Sequence, residues 1–363
     1  MDKPYPLRAA AVLAALALAA CEKEPTTSED RFLDGARGNA EIGIVLNSLE
    51  RSLTLFQLGD PDERREIAFG ASSSVTPVSF SIRGERAAVP LGNAASVALV
   101  DLRAQRIDRF FVMPQGNATG SAFADDTTVL AANFLDDYVG RFTAGQAGEA
   151  ITQTVQVAPA PADIEVANGR ALVISANLNE SYVPIGNGIV TALDPRTLAV
   201  LGTVQTGGTN PNVGAMGPDG LLYVLNTGDY VGPSSVTIID PQTLQAVQTV
   251  GGFPAGAGSI TIDGRGMAYV SGYGFGTVVW NTATRTFVRG PQAALCAPVG
   301  PGGGCRGAYE AAADEDGNVY QVFFGAPAQN LPPRIFIYDA DTFALADSLN
   351  AGQGPTAIDI REF

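Results

Sequence analysis

The sequence contains no histidine, one tryptophan and three cysteines. Histidine is the commonest general base and transition-metal ligand at neutral pH, so its absence excludes a Ser-His-Asp hydrolase and histidine-ligated copper or haem. There is no Cys-x-x-Cys pair. The glycines between positions 300 and 304 lack the lysine and the following helix of a phosphate-binding loop. The composition therefore argues against most familiar catalytic centres.

Basic residues are also scarce, because 22 Lys and Arg face 37 Asp and Glu, a formal net charge of −15. A chain this acidic is not expected to bind nucleic acid. It is not expected to be drawn to anionic lipid by charge either. Attachment to a membrane would then depend on an acyl chain, and we expect the folded part to be a monomer.

The N-terminal apolar run is short. It covers Ala9 to Ala20, about 12 residues, whereas a membrane-spanning helix needs roughly 20. With Lys3 and Arg8 before it, the run is typical of a signal peptide. It ends in Leu18-Ala-Ala-Cys21, which resembles the bacterial lipobox and implies cleavage before Cys21 and acylation of that cysteine. An ordinary cleavage site beside a cysteine is the alternative.

These features predict three segments: a lipoprotein signal peptide over 1–20, a lipidated Cys21 with a polar, weakly patterned tether over 21–40, and one folded domain over 41–363. We expect a lipid-anchored protein of the cell envelope, on the periplasmic or surface side of the outer membrane of a Gram-negative bacterium. Cys296 and Cys305 remain as a pair around a Pro/Gly-rich loop. A local disulfide is expected there in an oxidising compartment, with two free thiols as the alternative.

One pattern recurs seven times over the rest of the chain. It begins Pro-x-x-apolar-x-apolar, continues through an Asp-Gly turn and a second apolar strand, and ends a third strand with an aspartate. The starts are 42 to 51 residues apart, the length of a four-stranded propeller blade. They fall at Pro77, Thr119, Pro161, Pro211, Ala257, Ala308 and Pro355.

The copy Leu222-Tyr-Val-Leu-Asn226, followed by Ser235-Val-Thr-Ile-Ile-Asp240-Pro-Gln-Thr-Leu244, resembles the repeat of the YVTN or YncE-like seven-bladed propeller family. The resemblance covers residues 41 to 363 and implies an all-β, seven-bladed β-propeller. It implies little about function, because this architecture carries many activities.

The two ends of the chain predict how the ring closes. The last repeat stops after a first-type strand, whereas Ile42 to Asn47 matches a second-type strand, and the third and fourth types follow it. One blade should therefore take three strands from the N-terminus and one from the C-terminus, which leaves no open edge.

Loop lengths predict a working face. The turns from strand one to two and from three to four are tight, whereas the opposite face carries long loops such as 178–188, 227–234, 290–307 and 325–333. Binding usually lies in such loops, although long surface loops also persist without function because they cost little stability. Tyr182, Tyr230, Tyr273, Phe275 and Tyr309 lie on or near this face and would either stack on a ligand or pack between blades.

Acidic residues fall on the predicted inner strands: Asp163, Glu165, Glu310 and Asp359. They would either bind a cation or polar ligand, or be solvated and paired with Arg306 or Arg361. Asn133, Asn177 and Asn226 match the family's strand-ending asparagine, for which turn capping is favoured over ligation.

We expect a non-catalytic binding or scaffolding propeller without a cofactor, whose partner is a protein, a glycan or a small molecule. The alternative is a calcium-dependent, lactonase-like hydrolase at the mouth of the central channel. The candidate ligand-binding residues are Asp163, Asn210, Asn212, Arg306, Tyr309 and Glu310.

Overall fold

Alternating apolar and small residues produce short antiparallel strands throughout the folded domain. In the computed structural model, which describes residues 41–296, 305, 307–325, 330–339 and 341–362, 28 strands form seven four-stranded sheets. The expected all-β, seven-bladed propeller is confirmed. No helix among these residues is long and apolar enough to cross a membrane. The predicted signal peptide, the predicted lipidation site Cys21, the predicted tether and the candidate residue Arg306 lie outside the described residues.

Each of the first four blades runs from an innermost strand at the axis to an outermost strand at the rim. Blade 1 holds, in that order, β28 (Pro355–Glu362), β1 (Glu41–Asn47), β2 (Ser52–Gln57) and β3 (Arg64–Ala68). Blade 2 holds β4 (Ser81–Arg83), β5 (Arg86–Pro90), β6 (Ser96–Asp101) and β7 (Arg106–Val112). Blade 3 holds β8 (Ala118–Phe123), β9 (Thr128–Asn133), β10 (Tyr138–Thr143) and β11 (Gln153–Gln156). Blade 4 holds β12 (Pro161–Ala167), β13 (Arg170–Ser175), β14 (Ile189–Leu193) and β15 (Val200–Gln205).

The last three blades follow the same order. Blade 5 holds β16 (Pro211–Met216), β17 (Leu222–Asn226), β18 (Ser234–Asp240) and β19 (Gln245–Phe253). Blade 6 holds β20 (Ser259–Ile262), β21 (Met267–Gly272), β22 (Gly276–Asn281) and β23 (Thr286–Arg289), and a short 3-10 helix, Pro291–Ala293, follows it. Blade 7 holds β24 (Ala308–Ala313), β25 (Val319–Phe323), β26 (Arg334–Tyr338) and β27 (Leu345–Asn350).

The hydrophobic core is divided among the blade interfaces. Each of seven clusters of buried apolar side chains joins two neighbouring blades, so both faces of every sheet are covered. Between blades 5 and 6 the ring of Trp280 is fully buried, with Tyr223 and Phe253 packed edge-on at 6.0 and 5.7 Å between ring centroids. This two-sided burial explains why the second and third strands read as nearly continuous apolar runs.

The ring closes as the sequence predicts. Strand β28 pairs antiparallel with β1, and Ile358 lies opposite Val45 and Asp359 opposite Ile44. Blade 1 therefore takes its innermost strand from the C-terminal end of the chain and its other three from residues 41–68. Ile358 and Val45 also belong to the cluster that packs blade 1 against blade 7, so the closing strand seals a sheet and an interface together.

The predicted disulfide is confirmed. Cys296 and Cys305 are bonded, with their Cα atoms 4.8 Å apart. The bond closes the loop that connects blade 6 to blade 7 on the face of the long loops.

The closure yields a stability prediction. Ile358 is 2% exposed, so Ile358→Ala leaves a cavity between β28 and blade 7 and should lower the free energy of unfolding by about 2 to 4 kcal/mol. Leu345→Ala on the outer strand β27, where the side chain is 41% exposed, should change it by less than about 0.5 kcal/mol. Urea denaturation of the two variants measures both values, and equal losses would contradict the account of closure.

Candidate functional site

The two faces of the ring are built differently. On the tight-turn face, defined by the turns from strand one to two and from three to four, an aspartate closes several turns onto its own backbone. Asp194 Oδ1 accepts the N–H groups of Arg196 and Thr197 at 2.8 and 3.0 Å. These bonds hold the pKa of Asp194 below its usual range. Asp240 and Asp339 do the same, so these aspartates have the structural role that the sequence predicts.

A central cavity of about 850 Å³ follows the axis of the ring. All four acidic residues predicted on the inner strands line it: Asp163, Glu165, Glu310 and Asp359. The lining continues to Asp263, Arg265 and Glu315 in the tight turns. The cavity therefore extends toward the tight-turn face, away from the long loops.

Two of these acids occupy the same position of their strands and make the same contact. Asp163 Oδ2 accepts the N–H of Gly214 on the inner strand of blade 5 at 3.0 Å. Glu310 Oε1 accepts the N–H of Ile358 on the inner strand of blade 1 at 2.9 Å. Each carboxylate thus joins its own blade to the next, which is a structural role for two of the six candidate ligand-binding residues.

Enclosure by the ring disfavours the charged form of these acids. Burial raises the pKa of Glu310 to about 8, and the charges of Asp359 and Asp163 add to it against the lowering effect of the Ile358 N–H. Burial also raises the pKa of Asp163 and, together with the charge of Asp163, that of Glu165. The Glu310 carboxyl therefore resists ionisation near neutral pH.

Toward the tight-turn face, charges are paired. Arg361 Nε donates to Asp359 Oδ2 at 2.7 Å, which is the partner that the sequence suggested, and an Arg265 guanidinium nitrogen lies 2.8 Å from Asp263 Oδ2. Within the described residues no three Asp, Glu or Cys side chains come together as a metal site would require. Asp163 and Glu310 are linked to backbone N–H groups instead, and Asp359 and Asp263 to arginine.

The loop-rich face, defined by the loops from strand two to three and from strand four to the next blade, holds three further candidates. Asn210 Nδ2 donates to the carbonyl of Gly228 at 3.2 Å, and Asn212 Nδ2 donates to that of Gly258 at 3.2 Å. Tyr309 is partly exposed and stacks on Phe324 with 4.9 Å between ring centroids. None of these three is among the residues that line the central cavity with Asp163 and Glu310.

The three asparagines at or near the ends of second strands make different contacts. Asn133 Oδ1 accepts the N–H groups of Asn117, Leu135 and Asp136 at 3.1 to 3.2 Å. Asn226 is buried and donates to Ser235 and Thr237. Asn177 has a left-handed backbone and donates to the carbonyl of Asn187. Asn133 thus caps its turn as the sequence favoured, whereas Asn226 bonds the neighbouring strand β18 instead.

Aromatic side chains follow the loop-rich face around five consecutive blades. In each of blades 3 to 7, the connection from strand two to strand three carries one of them: Phe134, Tyr182, Tyr230, Tyr273 and Phe324. We call this set the aromatic crescent. Tyr182 and Tyr230 are 62% and 66% exposed, so their rings are not part of the core. Phe275, by contrast, packs against the cluster between blades 5 and 6.

The two most exposed tyrosines are held in an unusual conformation. Tyr182 and Tyr230 have φ angles of 60° and 64°, a left-handed backbone that costs a bulky residue roughly 1 to 2 kcal/mol. Each is fixed by its loop, because Asn179 Oδ1 accepts two N–H groups at 2.9 and 3.0 Å and Asp229 Oδ1 accepts two at 3.0 and 2.7 Å. The loops thus present both rings to solvent without burying them.

Sequence reasoning found Tyr182, Tyr230 and Tyr273 but missed Phe134 and Phe324. Both phenylalanines directly follow the last residue of a second strand, Asn133 and Phe323. Aligning the repeats on that strand would have placed an aromatic residue directly after it in three blades, at Phe134, Tyr273 and Phe324.

The fold defines the class: a seven-bladed β-propeller. It is similar to hydrazine synthase from Kuenenia stuttgartiensis, with a TM-score of 0.64 and 16% identity over 80% of this chain and 90% of that one. It is also similar to a functionally unknown protein from Desulfotomaculum acetoxidans DSM 771, with a TM-score of 0.61 and 13% identity over 88% of this chain and 98% of that one. At such identities the likeness shows the fold alone. No protein-family model and no curated protein matches the chain.

The cavity yields a pH prediction. The Glu310 carboxyl has a pKa of about 8 in the folded protein against an ordinary value of 4.5, so its contribution to stability falls as pH rises from about 4.5 to about 8. Glu310→Gln removes this fall in stability, because an amide does not ionise, and it keeps an oxygen that can accept the Ile358 N–H. The free energy of unfolding of the variant should exceed that of the wild type by on the order of 2 kcal/mol at pH 9 and match it near pH 4.

Denaturant titrations between pH 4 and pH 9 measure the difference. The control is Glu66→Gln, an exposed carboxyl on the outer strand β3. A Glu310→Gln curve parallel to that of the wild type would show that Glu310 ionises normally.

Proposed function

We propose that this protein is a lipid-anchored binding propeller of the cell envelope that receives a partner on its loop-rich face. The observation that carries the proposal is the aromatic crescent on blades 3 to 7. The seven blades and the repeat residues also support membership of the YVTN or YncE-like propellers.

The distribution of exposed apolar side chains supports this choice of face. Among the described residues, the large hydrophobic side chains that are exposed lie on the loop-rich face or on outer strands, and none lies in the tight turns. Besides the crescent, the loop-rich face exposes Leu49, Leu135, Val183, Ile185 and Val231. Exposed apolar side chains gathered on one face favour that face as the interaction site.

The backbone of the two tyrosines supports the same choice. A left-handed conformation at Tyr182 and at Tyr230 lowers stability, and neither ring offsets this loss by burial inside the protein. A ring that is already held in place loses less conformational freedom when a partner covers it. The conformation is therefore useful for binding rather than for folding.

The proposal is a non-catalytic one without a cofactor. A calcium-dependent hydrolase would need carboxylates free to converge on an ion, whereas Asp163 and Glu310 accept backbone N–H groups and Asp359 pairs with Arg361. No specific observation favours the enzyme.

Two features support the lipid anchor and the envelope location. The signal-peptide pattern ends in Leu18-Ala-Ala-Cys21, which resembles a lipobox. The bonded pair Cys296 and Cys305 suits an oxidising compartment outside the cytosol. We place the protein at the outer membrane.

A photo-crosslinking residue tests the choice of face. Placed at Val231, which is 85% exposed beside Tyr230, it should give discrete adducts in cells that produce the full-length protein. Placed at Gln242 in an exposed tight turn, it should give none. Adducts at position 231 should be lost when Tyr182→Ala and Tyr230→Ala are combined. Equal adducts at both positions, or adducts that survive the double change, would contradict the proposal.

Replacement of the predicted lipid attachment site tests the anchor. Cys21→Ser should move the protein from the detergent-rich to the aqueous phase in a detergent phase separation, because acyl chains supply the membrane affinity. Cys305→Ser is the matched control and should leave the partition unchanged. If the Cys21→Ser protein stays with the detergent, the anchor is not at this cysteine.

A further inference from the structure

A pocket of about 200 Å³ lies on the loop-rich face between blades 3 and 4, at one end of the aromatic crescent. Its walls include Phe134 and Leu135 from blade 3 and Leu178 and Tyr182 from blade 4. Ligand sites for small molecules measure about 300 to 1,000 Å³. The pocket is therefore suited to one long side chain rather than to a whole cofactor.

The aromatic walls are nearly parallel. The rings of Phe134 and Tyr182 have centroids 6.3 Å apart and an angle of 18° between their planes. Flat aromatic faces attract cations, and a planar guanidinium can stack on them in a way that a compact ammonium cannot.

The pocket carries negative charge without a positive counterpart. Asp137 and Glu180 line it, and no lysine or arginine is among its lining residues. One oxygen of Asp137 accepts the N–H of Ala160 at 2.8 Å, which fixes that carboxylate at the pocket wall. A cation that enters the pocket would therefore meet two carboxylates as well as two rings.

The wider face has the same sign. Its described loops hold a single arginine, Arg51, and the Nε of that residue is engaged by the carbonyl of Val75 at 3.2 Å. The acidic residues of these loops are Glu50, Asp136, Asp137, Glu180 and Asp229. Charge complementarity favours a basic partner here and disfavours an anionic bilayer.

We propose that the pocket formed by Phe134, Asp137, Glu180 and Tyr182 receives an arginine side chain from a basic segment of a partner protein. The proposal deepens the proposed function and rests on it, since it names the chemistry of the partner that the loop-rich face binds.

Three capped peptides test the pocket on the purified full-length protein: acetyl-Gly-Arg-Gly-amide and its lysine and citrulline counterparts. Citrulline keeps the planar shape of arginine and removes its charge. Titration calorimetry should show saturable binding of the arginine peptide, at least fivefold weaker binding of the lysine peptide and at least tenfold weaker binding of the citrulline peptide. A higher salt concentration should weaken the binding of the arginine peptide.

Two variants locate the binding. Tyr182→Ala should weaken the binding of the arginine peptide at least fivefold, whereas Tyr230→Ala should change the affinity less than twofold. The second tyrosine is the matched control, because it is equally exposed and has the same left-handed backbone but does not line the pocket. Glu180→Gln, an exposed loop change that leaves the rings in place, should weaken binding at least twofold.

Several outcomes would overturn the inference: equal binding of the citrulline peptide, equal effects of the two tyrosine variants, or no binding of the arginine peptide. Binding of a neutral oligosaccharide such as maltohexaose, lost in Tyr182→Ala, would assign the pocket to glycans instead. Failure of the peptide to bind, with face-specific adducts still formed at position 231, would refute only the arginine pocket. Loss of the adducts as well would refute the proposed function.

Discussion

The structure depends on the pairing of β28 with β1. A propeller blade has two apolar faces, and each must lie against a neighbour, so a linear row of seven blades would leave the outer faces of its first and last members in water. Pairing Ile358 with Val45 makes the last strand of the chain the innermost strand of the first blade. Blade 7 then packs on blade 1 through the same kind of buried cluster as the other six interfaces. The constraint is topological, since the two ends must meet before the first and last blades are covered on both sides.

Closure also decides where chemistry can lie. Seven inner strands converge on the axis with the same orientation, so equivalent residues face one another across a narrow space. Asp163 and Glu310 each accept an N–H from the inner strand of the next blade. These two side chains at the axis therefore help to hold neighbouring blades together. The loops from strand two to three lie away from the axis, and the aromatic crescent is found in them.

Much of this could be predicted from the sequence. The repeat length and the Asp-Gly turns predicted the number of blades. The incomplete repeats at the two ends, which contain Ile42 and Ile358, predicted the closure. Both signals are local patterns with a regular spacing. The positions of Asp163, Glu165, Glu310 and Asp359 at the axis followed from their place on the first strand of each repeat. What the sequence could not provide was the partners of these side chains. The N–H of Gly214 lies 51 residues from Asp163 in the chain, and only the angle between blades brings them together. The left-handed backbone of Tyr182 and its nearly parallel stacking with Phe134 depend likewise on loops from different blades.

The acidic axis is a weaker sign of cation binding than its composition suggests. A carboxyl group whose pKa lies near 8 is largely protonated at neutral pH, and a protonated acid needs no counter-ion. The ring can therefore bring Glu310 toward Asp163 and Asp359 without a metal, because burial and mutual repulsion keep part of the charge from forming. The loop carboxylates are different, since groups such as Glu180 are exposed to solvent. On the loop-rich face, acidic side chains therefore lie beside the rings that would contact a partner, and the described loops of that face hold one arginine.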